Sequence, residues 1–311
     1  MPEGHSVHRI ARQFQRNFVG SRVAVSSPQG RFAEGAARLD GRVITAAHAV
    51  GKQMFLEFDD GLWLRIHLGL YGAWEFAGDI LMGLPEASVL DSDGENSLRS
   101  IGAPRRARLR MSEEEKVTDA PVVFPAPPVG QVRVRLLSDT VVADLRGPTA
   151  CEVLDPQQVE TVMLRLGPDP ELDGSEAARD RFTSVVRRKP TPIGRLLMDQ
   201  SVVSGIGNVY RAEMLFRARL NPHTPGKALG LSTVHALWAD WAYLLHIGIE
   251  TGQMMTRDNL TGPELARAMK NRVDRHWVYK REGLPCRVCG THIVLEEMAA
   301  RKLYWCPRCQ S

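Results

Sequence analysis

Apolar side chains return at helical spacing directly after the first four residues. Val7, Ile10, Ala11, Phe14 and Phe18 share one face, and Arg9, Arg12, Gln13 and Arg16 lie elsewhere. This pattern predicts an amphipathic helix over 5–18. The period then shortens towards two, with strand-like runs at Arg22–Val25, Arg42–Ala47, Met54–Phe58 and Leu62–His67. Asp59-Asp60-Gly61 between the last two is a hairpin signal, because an Asp-Gly turn matches the twist of its flanking strands. Further short strands are predicted at Ala73–Phe76, Val132–Leu137 and Thr140–Asp144. The first ~150 residues therefore read as an antiparallel sheet structure with Greek-key or sandwich packing.

Residues 78–130 interrupt this pattern. Pro, Ser, Gly and charged residues dominate, and the segment reads as a mobile surface insertion. From Asp155 the spacing is helical: Gln157–Leu166, Ser175–Arg188, and a third helix opened by Pro192 with Ile193, Leu196, Leu197 and Val202 on its apolar face. Gly205-Ile206-Gly207-Asn208 breaks that helix. Asn208 is expected to cap the next, Val209–Arg219, and Ser232 a long one carrying Leu237, Trp238, Trp241, Leu244 and Leu245. A short helix over Gly262–Lys270 leads to a cysteine-bearing tail. The chain thus divides into 1–154, 155–271 and 272–311, without an internal repeat.

Composition narrows the class. With 43% hydrophobic and 24% charged residues, the 311-residue chain can bury a core and is not a disordered polyelectrolyte. No stretch approaches the ~20 apolar residues of a membrane span, and no signal-peptide pattern follows Met1. A cytoplasmic protein is expected. The net charge of +4 is a mild basic excess, concentrated at Arg105, Arg106, Arg108 and Arg110 and again at Arg187, Arg188 and Lys189. Such clusters suit a polyanionic partner, although solvated surface produces them too.

Chemistry concentrates at the two ends of the chain. If Met1 is removed, Pro2 presents a free secondary amine, whose pKa near ~8 leaves it partly uncharged and nucleophilic at neutral pH. Glu3 places a carboxylate beside it. At the other end, Cys286-x-x-Cys289 and Cys306-x-x-Cys309 are separated by sixteen residues, the spacing of a tetrahedral Zn²⁺ site with a hairpin between the knuckles. Arg301 falls in the presumed hairpin turn. The Gly205–Asn208 turn offers backbone N–H groups to an anion. In His67-Leu68-Gly69-Leu70-Tyr71-Gly72, two glycines flank a Leu-Tyr pair that either packs inward or is presented for insertion. Cys151 reads as a small buried hydrophobe.

Together, Met-Pro-Glu-Gly at the start, Gly51-Lys52, His67–Gly72, Leu166-Gly167-Pro168-Asp169, Asp199-Gln200 with Gly205–Asn208, and the Cys286–Gln310 tail resemble the formamidopyrimidine-DNA glycosylase/endonuclease VIII family of bifunctional DNA-repair enzymes. The resemblance covers nearly the whole chain outside 78–130. It implies an α+β multidomain fold: an N-terminal antiparallel β-sandwich with an N-terminal helix, a helix-two-turns-helix domain and a C-terminal β-hairpin zinc finger. It implies that Pro2 attacks the sugar of a damaged nucleotide, with Glu3 as general acid/base, Lys52 and Arg301 gripping phosphates and assisting the chemistry, and Asn208 and Arg165 contacting DNA. Leu70 and Tyr71 would fill the space left by the extruded nucleotide, and structural Zn²⁺ would sit on Cys286, Cys289, Cys306 and Cys309. The Leu-Tyr pair resembles the endonuclease VIII branch and favours oxidised pyrimidines. An oxidised-purine glycosylase, or a catalytically silent zinc-finger DNA-binding protein, is the alternative. Gly69 stands where that branch has glutamine, which leaves recognition of the opposite base open. The expected partner is damaged DNA, engaged by a monomer in the nucleoid.

Overall fold

The computed structural model describes residues 2–81, 97–103 and 124–311. These form two compact units, Met1–Leu164 and Arg165–Ser311. The first opens with α1 (Gly4–Asn17) and continues through β1 (Arg22–Ser26), α2 (Ala33–Leu39), β2 (Arg42–Val50), β3 (Gln53–Phe58), β4 (Trp63–His67), β5 (Ala73–Gly78), β6 (Ser100–Gly102), β7 (Val132–Leu137), β8 (Val141–Arg146), β9 (Ala150–Leu154) and α3 (Pro156–Leu164). The strands run in the order β6-β5-β8-β7-β1-β2-β3-β4-β9, and every described pairing within it is antiparallel. β1 is the seam: Arg22 and Val23 pair with β2, whereas Ala24–Ser26 pair with β7. Leu56, Leu64 and Ile66 from one side of this seam share a single core with Trp74, Val134 and Leu145 from the other, which is the expected sandwich.

Alternation explains β4, where Leu64 and Ile66 face the core while Trp63, Arg65 and His67 do not. It does not explain β8, all six residues of which are buried. The polar members of β8 are neutralised: Arg135 makes two bonds of 2.7 Å to Asp144, and Arg146 pairs with Glu75 at 2.9 Å. A bidentate guanidinium–carboxylate pair offsets much of the cost of removing both charges from water.

α1 has the expected apolar face, but part of its polar side is buried as well, while Gln15 and Arg16 stay exposed. Phe14 packs edge-on to Trp74 at 4.8 Å and to Phe76 at 5.3 Å. On the other side, His5, His8, Arg9 and Gln13 are each at most 5% exposed. The segment 97–103 lies over Arg9 and Gln13. Gln13 donates to the Leu98 carbonyl at 2.9 Å and Arg9 to that of Ser97. Leu98, Ile101 and Ala103 are buried, and β6 extends the sheet beside β5. This part of 78–130 is therefore integral to the fold rather than a surface insertion, while the arginine cluster at 105–110 lies outside the described residues.

The second unit holds α4 (Glu176–Arg188), α5 (Ile193–Leu196), α6 (Asn208–Arg217), α7 (Leu231–Thr251), α8 (Gly262–Lys270), α9 (Arg272–Arg275) and the hairpin β10 (Val294–Met298)/β11 (Arg301–Trp305). Phe182 packs on Trp238 and Tyr210 on Trp241 in its helical core. The third predicted helix shrinks to the four residues of α5, because Asp199 accepts from the Ser201 amide and hydroxyl and turns the chain. Two expected caps are also corrected. Gly207 and Gly230 occupy the N-cap positions of α6 and α7, so Asn208 and Ser232 lie inside their helices.

His276 makes this unit acid-sensitive. It is buried, and burial together with the Arg272 and Arg275 charges holds its pKa down to about 3. An unfolded histidine titrates near ~6.5, so unfolding takes up a proton below that pH. The stabilisation is complete above ~6.5 and is lost as pH falls towards the folded value, by up to ~1.4 kcal/mol per pH unit. Urea unfolding between pH 7 and pH 5 should show a shallower pH dependence in His276→Gln than in the parent (roughly one proton less on this linkage). Equal slopes would rule the histidine out.

Candidate active site and DNA-binding elements

In the first unit, Pro2 and Glu3 are both buried where the chain enters α1, and Glu3 is 0% exposed. The Glu3 carbonyl accepts from the Ser6 amide at 3.0 Å, so the helix begins immediately behind the two residues. α1 packs against β2 and β3, and Lys52 sits half-buried in the turn joining those strands. Across the sheet from Gln53 stands His67, at the end of β4. Burial first, then the Lys52 and Arg65 charges, lowers its pKa, so the imidazole stays neutral beside the lysine. His67 was part of the loop motif in the sequence, but its proximity to Lys52 depends on the β3–β4 register.

Leu70 and Tyr71 follow on the β4–β5 connection and are 40% and 47% exposed. The outward alternative is therefore the one adopted, and the loop's own geometry enforces it. Leu68 is buried, the Gly72 amide closes the loop onto the Leu68 carbonyl at 2.9 Å, and the Thr149 amide binds the His67 carbonyl at 2.8 Å. Gly69 has φ +65°, and a Cβ there would lie 1.8 Å from Thr149 Oγ1. A glutamine at this position would have to displace Thr149 from a left-handed backbone.

In the second unit, Arg165 is exposed at the start of the segment. The Leu166–Asp169 run is bound to the turn that precedes α6. The Gly167 amide donates to the Gln200 carbonyl at 2.7 Å, and Ser204 donates to the Gly167 carbonyl at 2.8 Å. Gln200 braces the same turn from inside, accepting from the Gly205 amide and donating to the Ile206 carbonyl. The two sequence motifs are thus one object, a braced turn at a helix N-terminus. Asn208 is almost fully buried and directs its amide into the zinc module, donating to the Lys302 carbonyl at 2.8 Å.

Arg301 is the first residue of β11 rather than part of the turn. The turn is Ala299-Ala300, both with positive φ (+56° and +53°). That is the two-residue geometry that matches strand twist, built here from residues that pay roughly 1–2 kcal/mol each to adopt it. Arg301 is exposed and, with Lys189, Arg195, Thr191 and Asp199, lines an open cleft of about 520 Å³.

The four cysteine sulfurs lie within 4.8 Å of one another, with Cys286–Cys309 at 3.9 Å and Cys289–Cys306 at 3.5 Å. Zn–S bonds of ~2.3 Å in a tetrahedron require sulfurs ~3.8 Å apart, so the set fits zinc. The thiols already differ in acidity. Hydrogen bonds from the Thr291 hydroxyl and amide bring Cys289 down to about 6, while burial and the other three cysteines push Cys309 up to about 12. Metal displaces the protons that such a cluster otherwise retains. The lone Cys151 is pushed up to about 12 by burial and is inert.

A sandwich led by a buried Pro-Glu pair, a braced helical turn and a four-cysteine hairpin are the elements that the sequence resemblance implies. Comparison with known proteins agrees along the chain. Family models described as the formamidopyrimidine-DNA glycosylase N-terminal domain, its H2TH domain, and the zinc finger found in FPG and IleRS match residues 1–119, 166–259 and 283–311. Endonuclease 8 1 of Mycobacterium tuberculosis is 38% identical over 315 residues, covering 100% of both chains. A formamidopyrimidine-DNA glycosylase of Acidovorax sp. is 32% identical over 273 residues, 88% of this chain and 84% of the relative. The crystal structure of Lactococcus lactis Fpg with N7-benzyl-Fapy-dG DNA superposes with a TM-score of 0.71 at 20% identity over 99% of each chain, a likeness of fold. The chain belongs to the formamidopyrimidine-DNA glycosylase/endonuclease VIII family, DNA glycosylases with abasic-site lyase activity, and its four cysteines hold a structural zinc.

Proposed function

We propose that this enzyme excises oxidised pyrimidines from DNA and cleaves the strand by β,δ-elimination. The observation that carries the substrate class is the exposed Leu70-Tyr71 pair, which matches the endonuclease VIII branch, while the crowding at Gly69 leaves recognition of the opposite base open. Two large apolar side chains held in water favour insertion into a stack, and they offset the cost of extruding the damaged nucleotide. The Mycobacterium relative named as an endonuclease 8 supports the same branch.

The Pro2 nitrogen, once Met1 is removed, attacks the anomeric carbon and the base leaves with a proton from Glu3. The carboxylate then takes the proton that the Pro2 nitrogen sheds and delivers it to O4′ as the C1′–O4′ bond breaks and the sugar opens. Because the amine is secondary, the resulting Schiff base is a permanently charged iminium that has no N–H proton to lose. It withdraws electrons from the sugar, and the 3′ and then the 5′ phosphate are eliminated in turn. Lys52 assists proton transfer and binds a phosphate, and Arg301 binds the phosphates flanking the lesion. Arg165 contacts the backbone. Asn208 serves phosphate binding by placing the first turn of α6. The functional modules are read as 1–154, 155–271 and 272–311. The enzyme acts as a monomer on damaged nucleoid DNA in the cytoplasm, and no helix among the described residues is long and apolar enough to cross a membrane.

Duplexes carrying thymine glycol, dihydrouracil, oxidised guanine or an abasic site decide the substrate. Cleavage of the two pyrimidine lesions at least ~10-fold faster than oxidised guanine is expected, a difference of ~1.4 kcal/mol in transition-state stabilisation. The reverse order would assign the purine branch.

A further inference from the structure

The strained Ala299-Ala300 turn is held from outside the hairpin. Arg211, on α6, is 0% exposed, and its guanidinium reaches the carbonyls on both sides of the turn. Nη1 donates to the Met298 carbonyl at 3.0 Å and Nη2 to the Lys302 carbonyl at 3.2 Å. Nη2 also donates to Asn208 Oδ1, so the two side chains that meet Lys302 are tied to each other. On the α5 side, Met298 seats against Gly194, where an added Cβ would come within 2.7 Å of its sulfur. The Gly194 carbonyl also accepts from Arg211 Nη1, at 3.5 Å. Residues 298 and 302 bracket Arg301, whose own side chain makes, among the described residues, a marginal bond of 3.5 Å to the carbonyl of Ala300.

We propose that Arg211 is a positioning residue for Arg301: by pinning Met298 and Lys302 it keeps a two-alanine turn in its left-handed conformation and fixes where the Arg301 guanidinium emerges. An unpinned Ala-Ala turn relaxes towards negative φ, and the start of β11 turns with it. A planar, forked side chain suits this task, because one ammonium cannot span both carbonyls. The inference rests on the reading of Arg301 as a phosphate ligand, and its test separates the two.

Affinity for a duplex carrying an uncleavable abasic-site analogue is measured across a salt series for the parent, Arg301→Ala, Arg211→Lys, the double variant and Arg211→Lys/Ala300→Gly. Zinc content is checked for each. Arg301→Ala should lower the magnitude of the log–log salt slope by about 0.9, one phosphate contact. Arg211→Lys should do the same with roughly tenfold weaker binding, although its substitution is nowhere near solvent. The double variant should lose no more than Arg301→Ala alone. Ala300→Gly should restore the slope in the Arg211→Lys background, since glycine occupies the left-handed region freely. An unchanged slope in Arg211→Lys beside a lowered one in Arg301→Ala would overturn the proposal, as would additive losses. A parent-like slope in Arg301→Ala would instead remove Arg301 as a phosphate ligand, and the clamp with it. If Arg211→Lys alone fails to retain zinc, the Ala300→Gly combination decides. Recovered zinc with the parent slope supports the clamp, and any other result overturns it.

Discussion

A chain that retains one uncleaved residue ahead of Pro2 should yield no borohydride-stable adduct with abasic-site DNA, where the processed chain is captured in full. The extension turns the Pro2 nitrogen into a tertiary amide with no lone pair to donate, and the expected loss is on the order of a thousandfold or more. The rest of the site supports this, because Pro2 and Glu3 are already buried at the start of α1 and the extension changes one bond. Glu3→Gln complements the experiment. Expelling a base needs a proton delivered to the leaving group, whereas an abasic aldehyde condenses with the amine without that step. Base release should therefore fall by ~10²–10⁴-fold, while trapping on a preformed abasic site falls much less. Undiminished adduct from the extended chain would move the nucleophile to a lysine, Lys52 first.

The elements that position this chemistry were unevenly legible in the sequence. The α1 face, the β3–β4 hairpin and the cysteine knuckles each rest on a local rule, whether helical spacing, an Asp-Gly turn or the reach of a metal ion, and each formed where expected. What the local rules missed is non-local. β6 and β9 are short strands made by their neighbours, β5 and β4. The buried polar face of α1 depends on residues more than eighty positions away, as the Gln13–Leu98 bond shows. Asn208 has the composition of a cap, yet tertiary contact with Lys302 wins over that propensity and leaves the cap to Gly207. Arg211 gave no sequence signal. A buried arginine reads as an ordinary polar position on an exposed helix face until the hairpin is docked against it.

Glu213 ties the segment entering the zinc module to the helical core. It is fully buried two residues along α6 from Arg211, and it accepts from the amides of Trp277 (2.7 Å), Val278 (2.9 Å) and Tyr279 (2.8 Å) and from the Thr256 hydroxyl. Burial pushes its carboxyl above the ordinary range, and the four donors oppose that push. The segment it anchors runs directly to Cys286. Phe216 of α6 then joins Val278, Ile293, Tyr304 and the cysteines in a small core of their own. α6 therefore holds the module at three levels: Asn208 and Arg211 at the hairpin tip, Glu213 at the entering segment, and Phe216 beside the cysteines.

That arrangement sets what loss of zinc does. The module's own core is a handful of side chains, too few to fold against chain entropy, and structural zinc contributes ~10–16 kcal/mol in small fingers. Chelation, or Cys289→Ser, should release the metal and unravel 286–309, and Arg301 then loses the turn that presents it. Affinity for abasic-site DNA should fall by ~10²-fold or more at physiological salt, as whole contacts to phosphate disappear. Pro2 and Glu3 lie in the other unit. The covalent adduct should accordingly recover at low salt and high DNA concentration, with the deficit in binding rather than in bond formation. Zinc measured on the protein, a salt-dependent affinity and a single-turnover trapping rate separate these outcomes. A zinc-free chain that binds and traps at the parent rate in physiological salt would show that the hairpin stands without its metal. A zinc-free chain that stays untrapped at saturating DNA would place Arg301 in the chemical step itself.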